Sequence, residues 1–187
     1  MKNFIQLSFI LSFSALLLSC KKNHDEAPSP QDQNETELIT TVSLIIKENG
    51  ALVNTFTFND PDGAGGVNPT VDQITLDANK TYTCTLLLLD ETKNPIDTTS
   101  LEIEEEKDVH QFFFHPSAGL DMAFAYEDYD DHHVPVGLQS TIHTGAAGTG
   151  TLRIVLNHQP GVKPTSGNGD EALGETDMEV SFDVTIQ

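Results

Sequence analysis

Met178-Glu179-Val180-Ser181-Phe182-Asp183-Val184-Thr185-Ile186 alternates apolar and polar side chains without a break. Successive side chains of an extended chain point to opposite faces. The stretch therefore predicts a strand with Met178, Val180, Phe182, Val184 and Ile186 against a core and Glu179, Ser181, Asp183 and Thr185 in water. The same period of two recurs upstream. Leu38 to Lys47 puts Val42, Leu44 and Ile46 on one face, Asn49-Gly50 is a tight-turn pair, and Ala51 to Phe58 returns with Leu52, Phe56 and Phe58 on one side. Thr81 to Leu89 is apolar on both faces near its end, the mark of a central strand.

Further strands are expected around Ile74 and Leu76, around Leu101 and Ile103, over Val109 to His115, through Leu120, Met122, Phe124 and Tyr126, and over Val136 to His143 and Thr151 to His158. Asp77-Ala78-Asn79-Lys80 reads as a turn. After Cys20 no sustained 3.6-residue period is present. About eight to ten short strands separated by turn signals predict an all-β fold, an immunoglobulin-like β-sandwich, with a closed barrel as the alternative.

The N-terminus has a different character. Lys2 precedes an uncharged run from Phe4 to Leu18, followed by Leu17-Leu18-Ser19-Cys20. The run is shorter than the roughly 20 residues of a membrane-spanning helix and has the layout of a secretory signal. Its end resembles the bacterial lipobox. That resemblance implies cleavage after residue 19 and acylation of Cys20. Residues 20–37 then form the lipidated cysteine and a polar, Pro-containing tether, and 38–187 the folded domain. Lys21, Lys22, Asp25 and Glu26 resemble the surface-export signals of Bacteroidota lipoproteins, so the expected address is the outer membrane, on either face. With Cys20 lipidated, Cys84 has no intramolecular partner, and a disulfide framework is excluded. Cys84 itself reads as a small buried strand side chain.

Of 187 residues, 9 are Lys or Arg and 29 are Asp or Glu, a net charge of −20. Nucleic-acid binding through phosphates needs a basic surface and is excluded. Anionic lipid as the primary docking surface is disfavoured for the same reason. No Gly-x-Ser-x-Gly, His-Glu-x-x-His or paired-Cys motif is present, so no enzyme is expected. Gly145 to Gly150 lacks the Lys and following helix of a phosphate loop.

The densest polar segment is Glu127-Asp128-Tyr129-Asp130-Asp131-His132-His133. Carboxylates and imidazoles together are metal ligands, and Asp128, Asp130, Asp131, His132 and His133 are the candidates, for zinc or calcium. The alternative is a solvated acidic loop. Asp60 and Asp62, in Asp60-Pro61-Asp62-Gly63, share the start of a calcium loop but lack its distal acid. His110 and His115, five apart, belong on opposite faces of one strand. His143 and His158 would fall at opposite ends of a hairpin if their strands pair. Residues 159–177, rich in Gly, Pro and acid, read as a long mobile loop.

The lipobox, together with Phe58 to Gly66 (FNDPDGAGG), Val109 to Phe114 (VHQFFF) and Leu152 to His158 (LRIVLNH), resembles a group of small Bacteroidota lipoproteins often labelled type 1 periplasmic binding fold superfamily proteins. That label implies a two-lobed α/β binding protein. The strand period and the short chain point instead to the all-β sandwich. Two functions are expected in parallel. One is a lipid-anchored envelope module capturing a divalent metal for an outer-membrane uptake receptor. The other is an adhesion or structural envelope domain with no small ligand.

Overall fold

A computed structural model describes residues 38–63 and 65–187. The signal segment 1–19, Cys20 and the tether to residue 37 lie outside the described residues.

The strands are β1 (Thr41–Glu48), β2 (Ala51–Asn59), β3 (Thr70–Val71), β4 (Ile74–Leu76) and β5 (Thr81–Leu89). After a short helix, α1 (Thr99–Glu105), come β6 (His110–Pro116), β7 (Met122–Tyr126), β8 (Gln139–Thr144), β9 (Gly148–His158) and β10 (Glu175–Ile186). Two sheets form an all-β sandwich: six strands in the order β3-β2-β1-β5-β8-β7 and four in the order β4-β10-β9-β6. Among the described residues no helix is long and apolar enough to cross a membrane.

The alternation that defined β10 holds at every core position. Met178, Val180, Phe182, Val184 and Ile186 are all buried, and Phe182 is fully so. They meet Val42, Leu44, Ile46, Leu86 and Leu88 of the six-stranded sheet in one continuous core. Complete burial of a side chain such as Phe182 contributes roughly 1.5–3 kcal/mol. The β1–β2 turn places Asn49 and Gly50 at φ of 51° and 81°, the left-handed pair that a two-residue hairpin requires. β5 lies between β1 and β8, as its two-sided apolarity implied.

Four expectations are corrected. Leu101 and Ile103 lie on α1, not on a strand. The buried residues there are Thr99, Ser100 and Ile103, a helical spacing that seven residues are too few to display as a period. Leu52 faces water, because the β1–β2 register slips between Ile46↔Asn54 and Lys47↔Leu52. That bulge inserts Val53 and flips everything beyond it to the other face. β8 and β9 do not pair: the Gly-rich segment between them crosses from one sheet to the other. The 159–177 segment is not a mobile loop: residues 159–174 form a strap, and 175–177 begin β10. Gln111 Nε2 donates to the Asn168 carbonyl, Asn157 Nδ2 to that of Glu171, and Gln159 Nε2 to those of Asp170 and Leu173.

Candidate metal centre

The acidic loop between β7 and β8 spends its carboxylates on its own backbone. Asp128 accepts the amides of Gly137 and Leu138, each at 2.9 Å. Gly137 stands at φ 100°, and a Cβ there would come within 2.8 Å of Phe112 Cβ, so only glycine lets the chain pass this close. Burial raises the Asp128 carboxyl above its ordinary value, against those amide bonds. Asp130 Oδ1 accepts the amides of His132 at 2.9 Å and Val134 at 2.8 Å. Its Oδ2 lies 2.9 Å from Lys163 Nζ, in an ion pair with both side chains nearly inaccessible. Burial alone would raise Asp130; the Val134 and His132 amides and the Lys163 ammonium hold it below its ordinary value.

Asp131 pairs with Lys107. Its amide donates to Asp108. His132 and His133 are exposed, with His133 in the left-handed region at φ 63°. Among the described residues, these five candidates do not bring three ligating atoms together. Asp62 Oδ2 accepts the Val67 amide, the Asp60 amide donates to the Thr40 carbonyl, and Asp60 Oδ1 is buried without a hydrogen-bond partner; among the described residues no third ligand joins these two carboxylates.

Imidazoles converge at another place. β6 and β9 pair in a register that sets His110 directly opposite His158. Both lie on the core face, in line with the next inward pair, Phe112 and Leu156. The rings stack at 4.6 Å between centroids with planes 11° apart. They are 1% and 7% exposed, so the pair closes one end of the core. Just before β6, the chain leaves α1 through Glu106, whose amide caps the helix by donating to Glu102 O. The Glu106 carbonyl lies 3.2 Å from His110 Nδ1. That contact assigns the proton to Nδ1 and leaves the lone pair on Nε2. Ligating atoms of Glu106, His110 and His158 lie within 4.8 Å of one another.

Asp177 joins from the third strand. The β9–β10 register shifts between Thr176 and Met178, leaving Asp177 as the extra residue of a bulge. Strict alternation from Met178 would turn Asp177 outward. The bulge turns it in, with its side chain 3% exposed and Oδ2 3.7 Å from His110 Nε2. Two polar atoms here are buried without a hydrogen-bond partner, His158 Nε2 and Asp177 Oδ2. Burial, then the neighbouring His158 ring, push His110 down to about 4, so it is neutral at pH 7. Burial raises Asp177, with His158 acting against it.

As their separation implied, His110 and His115 face opposite ways; His115 pairs with Glu171 of the strap. His143 is exposed beside the Thr81 hydroxyl. Glu106 and Asp177 carry no mark in the sequence: one is among several acids ending a helix, the other is moved by a bulge. No protein-family model matches the chain, and neither a curated protein nor a solved structure does.

Proposed function

We propose that this chain is a lipid-anchored, non-catalytic envelope domain that captures a divalent transition-metal ion at His110 and His158 and passes it to an outer-membrane uptake receptor. The observation that carries the reading is the buried imidazole pair with His158 Nε2 and Asp177 Oδ2 unpartnered beside it. An unsatisfied buried polar atom costs about 1–3 kcal/mol, and a bound cation would relieve both at once.

The donor set fits the ion. The imidazoles of His110 and His158 with the carboxylate of Glu106 match three of the nitrogen and oxygen ligands of four-coordinate zinc, with Asp177 beside His110 as the neighbouring carboxylate. Calcium takes oxygen ligands, so zinc is the better fit. Because burial lowers His110 to about 4, protons compete little with a metal for that ring at neutral pH. Ligation requires the rings to tilt out of their stack so that the two lone pairs meet. The net charge of −20 raises the cation concentration around the domain. The signal layout and Cys20 support the anchor.

Residues 38–187 hold both sheets and the whole core and serve as the test protein. Titration with zinc by calorimetry is expected to show micromolar or tighter binding, lost in the His110→Ala, His158→Ala double variant. The His132→Ala, His133→Ala variant should bind as the parent does. The near-parallel ring stack also suits two imidazoles packed on each other with no ion, as in a structural or adhesion domain. Absence of both binding heat and a zinc-induced thermal shift would establish that second reading.

A further inference from the structure

A concave feature lies on the outer face of the six-stranded sheet, where α1 and the acidic loop stand over β1, β5 and β8. It is a cleft of about 380 Å³. That volume is in the range of small-ligand sites. Its floor includes Ile45 and Leu87, which point away from the sandwich core and are only half-buried. The solvated face of an antiparallel sheet is ordinarily polar. Two apolar side chains there, with Leu101 58% exposed on the α1 wall, make an apolar surface that the fold does not close. On the opposite wall Tyr129 is 47% exposed.

The charged lining is mostly acidic. Glu104 and Asp128 contribute carboxylates. Lys107 is the cation of the lining, and it is neutralised by Asp131. Glu104 makes no ion pair among the described residues, whereas Asp128 is held by two backbone amides. A ligand for such a cleft combines an apolar body with a positive charge.

We propose that the cleft beneath α1 binds a small organic amine, with its apolar body on Ile45, Leu87 and Leu101 and its ammonium beside Glu104. Tyr129 offers the ring face on which such cations are also held. The site shares no ligand with the His110–His158 centre and stands whether or not zinc binds there.

The test uses phenethylamine, its neutral analogue 2-phenylethanol and the anion 3-phenylpropionate, each titrated into residues 38–187 and followed by amide NMR shifts. The amine is expected to saturate and to bind about tenfold tighter than the alcohol, the scale of one charge-assisted hydrogen bond. Glu104→Gln should erase the amine's advantage and leave the alcohol unchanged. Leu101→Arg, at an exposed position, should weaken both. Equal affinity for amine and alcohol, preference for the anion, or an amine affinity indifferent to Glu104→Gln would overturn the proposal. So would the lack of any saturable shift around the cleft.

Discussion

Lys163 shows how much one strap residue holds. Its ammonium lies 2.9 Å from Asp130 and also donates to the carbonyls of Lys107 and His110, at 2.7 and 2.8 Å. Removing one member of a buried pair leaves the other charged and dry, which costs about 3–5 kcal/mol. Lys163→Met is therefore expected to lower the unfolding free energy from urea titration by that amount. Adding Asp130→Asn should recover part of the loss, because the amide oxygen still accepts the His132 and Val134 amides. A single variant as stable as the parent would show the pair to be dispensable. Cys84 gives the pH dependence. Burial pushes its thiol up to about 12 from an ordinary value of 9.0, with the Ser140 hydroxyl across the strand pair acting weakly the other way. Above the ordinary value the unfolded chain loses a proton that the folded chain keeps, so stability falls as pH rises toward about 12. The loss attributable to Cys84 should be on the order of 2 kcal/mol near about pH 10.5. Tyr126, also raised by burial to about 12, adds in the same sense at the alkaline end. Urea midpoints of the parent and Cys84→Ala between pH 7.5 and 10.5 check it: the variant's curve should be flatter. Parallel curves would mean that the thiol ionises in the folded state.

At the scale of elements, the strap over residues 159–174 crosses the outer face of β6 and β9, and buried side-chain amides of both strands bind it. A glutamyl endopeptidase needs an accessible glutamate in a chain that can unfold locally. The Glu171–Ala172 bond of the strap is expected to resist it in the native protein. Asn157→Leu removes the donor to the Glu171 and Leu173 carbonyls and should open that bond to the same protease, read as a new fragment pair on a gel. Equal resistance in parent and variant would show that the strap is held by its ends alone. The strands were legible because alternation reports directly on burial: β10 and β5 needed nothing else. The strap was not, since Gly, Pro and acid look the same in a free loop and in one hydrogen-bonded to Gln111, Asn157 and Gln159. The candidate centre was legible only in part. His110 and His158 stand out as residues, but their opposition depends on β6 pairing β9, a long-range choice that no local pattern encodes. Asp177 and Leu52 owe their directions to bulges, where one inserted residue reverses the parity on which sequence reading rests.

Across the whole molecule, the charge distribution decides how the sandwich responds to salt. Five of the six Lys and Arg residues between positions 38 and 187 sit in ion pairs, with Glu48, Asp97, Asp131, Glu179 and Asp130. The basic groups are thus largely used, and most carboxylates of a −20 chain have no cationic partner among the described residues. The exposed pairs are each worth about 1 kcal/mol or less, and salt weakens them. The repulsion among unpaired acids is spread over the whole surface, and salt weakens it too. Folding concentrates those acids, so the repulsion opposes the native state. The Debye length falls from about 30 Å at 0.01 M to about 10 Å at 0.1 M, which removes the long-range repulsion first and spares the dry Lys163–Asp130 pair. Thermal unfolding of residues 38–187 is therefore expected to move upward by a few degrees between 10 mM and 500 mM sodium chloride, with potassium chloride giving the same rise. Because each kcal/mol moves the midpoint of a domain this size by about 2–4 °C, the effect is measurable by circular dichroism. A midpoint that falls with salt would mean that the surface pairs outweigh the repulsion, and the excess acid would then need another physical reason.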